Sequence, residues 1–141
     1  MLGLRLFTWL VGLLGQRTES RADERQLRRE LLAYQRRQLI HQHIPEEHRV
    51  REAFGPRFEE LLQLLVQHDA AGTGPAAPTN AYYPELTRTV IYQLGKAQTD
   101  EQLLTLLRQE QGLWFGSGSI DEQALEALAI DVQRWRQGAG L

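Results

Sequence analysis

Apolar residues recur at intervals of three and four along most of this chain, which is the spacing that one face of an α-helix requires. Stripes of this kind begin at Leu27, Val50, Leu86, Leu103 and Leu125. No stretch alternates with a period of two for the length of a strand. The pattern therefore predicts an all-α protein of about five to seven helices. Its 141 residues suffice for one domain with its own core.

Residues with strong positional preferences predict where two of these helices begin and end. Thr99 and Ser119 each stand three residues ahead of a Gln or a Glu, the arrangement of a capping box at a helix start. The helices that follow should end at Gly112 and Gly138, because glycine is favoured just past a helix terminus.

Proline and glycine divide the middle of the chain. The Arg-rich helix 20–43 should end before Pro45, which disfavours helical geometry in the residue that precedes it. Residues 46–71 are predicted to be helical, and at Gly55–Pro56 either the helix is kinked or a fresh helix begins. The unbroken apolar stripe favours a kink or a tight corner. The segment 71–80 is rich in Gly, Pro and Ala and is predicted to be a loop.

The amino terminus, residues 1–17, is the most apolar part of the chain. Nine large apolar side chains lie between positions 2 and 14. Leaving them all in water would cost on the order of 15–25 kcal/mol, so lipid, a partner or the chain's own core must bury them. We expect this segment to dock the protein to a membrane or a partner. The docking residues would be Leu6, Phe7, Trp9, Leu10, Leu13 and Leu14.

Several alternatives stay open for the same segment. Thirteen helical residues reach only about 20 Å, which disfavours a span across a hydrocarbon core of about 30 Å. Arg5 and the apolar run resemble the start of a secretory signal, but no small-x-small cleavage pattern follows. The segment would otherwise be a buried element of the fold or of an oligomer interface, or a helix lying in a membrane surface.

Charge is unevenly distributed along the chain. Residues 1–37 hold eight arginines against four acidic residues, a net of +4, whereas residues 38–80 and 81–141 each carry −3. A basic segment beside an apolar one suits an anionic lipid surface. The predicted basic surface consists of Arg17, Arg21, Arg25, Arg28 and Arg29. Acidic residues lie between these arginines in the sequence, so an ordinary solvated helix face is the alternative.

The sequence carries no catalytic signature. It has no cysteine, which excludes disulfides, thiolate catalysis and Cys-based zinc sites. His41, His43 and His48 are the only candidates for a metal site, and the alternative is that they are polar residues near a helix end. We therefore predict neither an enzyme nor a metal or other cofactor.

Trp114 and Phe115 lie between two predicted helices, beside a Gly-Ser segment. They are candidate contacts with a protein partner, because buried aromatic residues often dominate interfaces. The alternative is that they close the end of a helical hairpin.

These observations combine into one interpretation of the architecture. We expect an apolar docking helix at 1–17, a helical arm at 18–71, a loop at 72–80 and a compact carboxy-terminal helical group at 81–141, with 18–141 forming one domain.

The functional interpretation follows from this architecture. We expect a cytoplasmic, membrane-peripheral, non-enzymatic adaptor or accessory subunit that docks to a membrane surface or a larger assembly. Its partner would be another protein, and a homo-oligomer stays open. The alternative is a small helical subunit of a nucleic-acid-handling complex. Nucleic acid ranks lower because the whole chain has a pI near 6.1.

Overall fold

The computed structural model describes residues 21–141, except for the side chains of residues 78 and 79. This part of the chain contains six α-helices and no strand, which confirms the predicted all-α class. The helices are α1 (Arg21–Ile40), α2 (Glu47–Phe54), α3 (Pro56–His68), α4 (Tyr82–Gln93), α5 (Asp100–Phe115) and α6 (Glu122–Ala139). Short 3-10 helices span Gly74–Thr79, Leu94–Lys96 and Ser117–Ser119.

The chain divides into two compact units, Met1–Gln42 and His43–Leu141. Helix α1 is the described helix of the first unit and ends at Ile40, before the turn that leads to Pro45. The boundary between the two units lies within the segment 18–71. Helices α2 and α3 belong with the carboxy-terminal helices instead, because their apolar stripes are buried against those helices.

Four helices enclose the core of the carboxy-terminal unit: α3 and α5 each pack against both α4 and α6. Each helix contributes the apolar stripe that its sequence spacing predicts. The fully buried members include Leu61 and Leu65 of α3, Leu86 and Val90 of α4, Leu103 and Leu107 of α5, and Leu125, Leu128 and Val132 of α6. Helix α2 packs on α3 and α4 and buries Val50.

Polar contacts between α3 and α6 supplement this apolar packing. Nε2 of His68 lies 2.7 Å from Oδ2 of Asp131, and the indole N–H of Trp135 donates to Oε2 of Glu60 over 3.1 Å. Farther along α6, Nη1 of the buried Arg136 donates to the Leu94 carbonyl over 2.9 Å, which ties α6 to the end of α4.

Gly55 forms the corner between α2 and α3. Its backbone has φ +60° and ψ −137°, a combination that residues with a Cβ rarely adopt. A new helix then begins at Pro56, whose missing N–H and fixed φ suit the first helical position. Of the sequence alternatives, the structure shows a corner followed by a fresh helix.

Three of the predicted helix termini differ from the observed ones, including the end of α6, which lies at Ala139 and not at Gly138. Thr99 forms the expected capping box, in which its Oγ1 accepts from the Gln102 N–H over 3.1 Å. Ser119 does not cap α6. Asp121 does so instead, because its Oδ1 accepts from the N–H groups of both Gln123 and Ala124. Helix α5 also continues past Gly112 to Phe115.

Candidate docking surface on the first helix

One face of α1 carries five arginines together with three large apolar side chains. At 3.6 residues per turn, these side chains fall within about 120° of the helix circumference. All of them are exposed. We call this surface the Arg–Leu face; it consists of Arg21, Arg25, Arg28, Arg29, Leu32, Arg36, Leu39 and Ile40.

The Arg–Leu face contains no acidic residue, although acidic residues alternate with the arginines in the sequence. Asp23 and Glu30 project from other parts of the helix circumference, about 80° or more from the nearest edge of the Arg–Leu face. Glu24 lies beside the edge of the face, one turn before Arg28. The face itself is therefore basic, with one acidic residue at its border.

The arginines of this face have no carboxylate partner within the described chain. Nε of Arg25 donates to the Arg21 carbonyl over 3.2 Å, a contact within the helix backbone. None of the ion pairs among residues 21–141 includes Arg28, Arg29 or Arg36. Their guanidinium groups can therefore meet an external anion without first breaking an internal ion pair.

The same face also exposes apolar side chains, which can make hydrophobic contacts beside the ionic contacts of the arginines. Leu32 is 63% exposed and Leu39 is 69% exposed, although each is flanked by charged neighbours on the helix surface. Away from this face, Arg37 and His41 are buried, and Leu27, Leu31 and Tyr34 are half-buried. The exposed leucines therefore mark the solvent side of an amphipathic helix.

The chemistry of the Arg–Leu face suits a surface that is both anionic and apolar. Guanidinium groups donate paired hydrogen bonds to phosphate and carboxylate oxygens. Leucine and isoleucine gain free energy when they leave water. From Arg21 to Ile40 the face is about 28 Å long, which allows contact with several headgroups or with one extended partner.

The structure describes only part of the predicted site. The predicted docking residues Leu6 to Leu14, and Arg17 of the predicted basic surface, lie outside the described residues. Arg21, Arg25, Arg28 and Arg29 lie on the exposed face, and their role in docking stays a prediction. Sequence reasoning missed Leu32, Leu39 and the contribution of Arg36 to this face. A projection of residues 21–40 at 100° per residue would have found all three.

The aromatic pair Trp114 and Phe115 lies in or against the core. Trp114 is 7% exposed, and its ring centroid is 5.6 Å from that of Tyr82. Phe115 is half-buried, with its ring centroid 5.0 Å from that of Tyr83. This position matches the structural interpretation, in which the pair closes the end of the hairpin. Their contact with a protein partner stays a prediction.

The histidine candidates His43 and His48 make contacts with different residues. The His43 ring centroid lies 6.3 Å from that of Tyr92, whereas Nδ1 of His48 lies 3.5 Å from the exposed Glu46 carboxylate. Within residues 21–141, no three His, Asp or Glu side chains are grouped so that they could hold a metal ion.

Asp69 is the centre of the most connected polar cluster in the carboxy-terminal unit. It accepts hydrogen bonds from the backbone N–H groups of Thr73 and Gly74, the Thr73 hydroxyl and the Tyr83 phenol. Partial burial raises the pKa of Asp69, but these hydrogen bonds outweigh it, and its pKa lies below the ordinary value. A carboxylate so occupied fixes the loop and is poorly suited to act as a base.

None of the described helices combines the length and the apolar character needed to cross a membrane. Comparison with known proteins gives no match: no family model, no curated protein and no solved structure aligns with this chain.

Proposed function

We propose that this protein is a non-enzymatic adaptor or accessory subunit that docks to an anionic membrane surface through its amino-terminal part. The Arg–Leu face would meet the lipid headgroups. The apolar segment before it would add hydrophobic attachment, and the unit His43–Leu141 would hold a protein partner.

The observation that carries this proposal is the composition of the Arg–Leu face: five arginines, two leucines and an isoleucine, with no acid among them. Each basic group near an anionic membrane contributes about 1 kcal/mol. Exposed leucines on a basic helix face can insert between headgroups, which is how amphipathic helices bind in the plane of a membrane surface.

The composition of the Arg–Leu face favours a lipid surface over a nucleic acid. The face lacks the aromatic side chains on which bases stack. Leu32 and Leu39 have no counterpart in phosphate-backbone contacts.

Vesicle co-sedimentation of the full chain tests the proposal. We expect binding to phosphatidylcholine vesicles that contain phosphatidylserine, weakening as salt rises, because screening reduces attraction to the surface charge. The variant Arg25→Glu, Arg29→Glu, Arg36→Glu should bind at least tenfold more weakly, since each reversed charge loses about 1 kcal/mol or more.

A matched control reverses three exposed cations outside the Arg–Leu face: Arg49→Glu, Arg57→Glu and Lys96→Glu. It changes the net charge by the same amount and should retain most of the binding. Equal loss in the two triple variants would mean that net charge, and not this face, governs attachment. Undiminished binding by the first variant would overturn the role of the face.

The alternative function, a subunit that handles nucleic acid, makes an opposite prediction. It requires an affinity for a duplex or single-stranded oligonucleotide that falls steeply with salt. Fluorescence anisotropy with labelled oligonucleotides, measured beside the vesicle assay, distinguishes the two. Tight oligonucleotide binding without vesicle binding would replace the membrane proposal with this alternative.

A further inference from the structure

The outer face of α6 is a second exposed surface, and it lies in the carboxy-terminal unit. Its central side chain is Ile130, which is 55% exposed. We call this surface the Ile130 face. It consists of Gln123, Glu126, Ala127, Ile130, Arg134 and Gln137, all of them exposed.

A groove of about 510 Å³ runs beside the Ile130 face, between α5 and α6. Leu103, Leu104, Ala129 and Ile130 supply its apolar lining. Glu126 and Arg134 also line it. The exposed isoleucine is therefore continuous with a recess that can receive an apolar side chain from another molecule.

The Ile130 face carries one negative and one positive side chain, at equal distances on opposite sides of Ile130. Glu126 lies four residues before Ile130 and Arg134 lies four residues after it, about 6 Å away along the axis in each direction. Within residues 21–141, neither Glu126 nor Arg134 forms an ion pair. Glu126 lies near enough to Arg108 for the two charges to attract each other, but without a direct contact, so Glu126 and Arg134 can both pair with an external partner.

We propose that the Ile130 face binds a second copy of this chain, with the two α6 helices antiparallel and Ile130 on the two-fold axis. In that arrangement Glu126 of each copy meets Arg134 of the other, and the two isoleucines meet at the centre. A two-fold contact uses the same patch on both subunits, so the patch must be complementary to itself. The Ile130 face meets this condition, because it carries both the negative and the positive side chain that the pairing requires. A different protein would need its own pair of charges at the same spacing.

This self-association is independent of the membrane proposal, because it rests on α5 and α6 alone. One apolar pair and two ion pairs form a small contact, so the dimer should be a weak and reversible one.

Charge exchange tests the antiparallel register. We expect Glu126→Arg or Arg134→Glu to weaken self-association of the full chain by about tenfold, because each places like charges opposite one another twice. The double variant Glu126→Arg, Arg134→Glu should recover it, since the pairs are restored with their signs exchanged. Sedimentation equilibrium over a range of protein concentrations measures all three variants against the unmodified chain.

Cysteine cross-linking tests the same geometry independently, because the natural chain contains no cysteine. Ile130→Cys should form a disulfide-linked dimer under mild oxidation, as its two copies face each other across the axis. Glu126→Cys or Arg134→Cys alone should not, because like positions lie about 12 Å apart along the helices. A mixture of these two variants should cross-link.

The two experiments leave a clear criterion for rejection. A chain that stays monomeric up to the highest concentrations measured, or a double charge variant that remains as weak as the single ones, would overturn the proposal. So would cross-linking of Glu126→Cys by itself, since it indicates a different register. The exposed Glu101→Cys serves as the control for random collision and should not cross-link.

Discussion

The phenol of Tyr83 donates a hydrogen bond to Oδ1 of Asp69, a residue fourteen positions earlier in the chain. Asp69 follows directly after α3 and has a positive φ of 44°, whereas Tyr83 lies in the first turn of α4 and is fully buried. This contact closes the connection between two core helices. The contact holds the Gly- and Pro-rich segment 71–80 in a defined conformation, whereas the sequence predicts a loop there without specifying its conformation.

Replacement of Asp69 should destabilise the carboxy-terminal unit. Asp69→Ala removes the acceptor of four hydrogen bonds and places a Cβ residue without a compensating side-chain bond at positive φ. We expect a loss of about 2–3 kcal/mol in the free energy of unfolding. Denaturant unfolding followed by circular dichroism measures it. Asp69→Asn tolerates positive φ and keeps an acceptor oxygen, so it should lose less; equal losses would contradict this account.

Stability should depend on pH through the same pair. Hydrogen bonds hold the pKa of Asp69 below its ordinary value despite partial burial, so its contribution is present above about pH 4 and is lost as pH falls through the folded-state pKa. Burial, and then the bond to Asp69, raises the pKa of Tyr83, so its contribution is lost as pH rises above about 10.

The measurement for this prediction is the midpoint of urea unfolding between about pH 3 and pH 11. The difference between the natural chain and Tyr83→Phe should be constant near neutrality and shrink above about pH 10. The difference from Asp69→Asn should shrink at the acid end instead. A constant difference over the whole range would show that neither group titrates differently in the folded and unfolded states.

Local sequence signals predicted the helices better than their exact ends. The box at Thr99 was confirmed because its side-chain bonds need only three neighbouring residues. Ser119 carried the same pattern, yet its Oγ donates to the Gly116 carbonyl over 3.2 Å within a 3-10 turn. Asp121 forms the cap because its N–H is held by the Ala70 carbonyl over 2.8 Å, a contact from a distant loop that no local pattern reveals.

The candidate surface was predictable in part for a similar reason. Linear order placed acids among the arginines, whereas helical phase separates Glu30 from Arg29 and Arg36 on the surface of α1. The burial of Trp114 agrees with one of the two sequence alternatives, but its contacts with Tyr82 and Thr89 of another helix were not predictable. The contacts of side chains that are surrounded by residues distant in the sequence therefore cannot be predicted from local sequence patterns.

Two glycines should respond in opposite directions to the same substitution. Gly55→Ala should lower the free energy of unfolding by about 1–3 kcal/mol, because its backbone at φ +60° and ψ −137° strains any residue with a Cβ. Gly112→Ala should raise it by about 0.5–1 kcal/mol, because Gly112 lies inside α5 and its nearest foreign atom would be 3.8 Å from the new Cβ. Thermal and denaturant unfolding measure both, and a stabilised Gly55→Ala would contradict the observed corner.

Gln111 is an amide in the core whose replacement should not weaken the fold. It is 1% exposed, and neither its Oε1 nor its Nε2 has a hydrogen-bond partner in the part of the chain that the structure describes. Burying an unpaired amide is unfavourable, so Gln111→Met, which keeps the shape, should leave stability unchanged or raise it by about 1–2 kcal/mol.

The matched control for this prediction is Gln93→Met. The Gln93 amide donates to the Thr89 carbonyl and to the Glu110 carboxylate, each over 2.8 Å, so its loss leaves the nearly buried Glu110 without that donor. We expect this variant to lose about 1–3 kcal/mol in denaturant unfolding. A loss of stability in Gln111→Met as large as that in Gln93→Met would contradict this account. It would mean that the Gln111 amide forms a hydrogen bond in solution that stabilises the core.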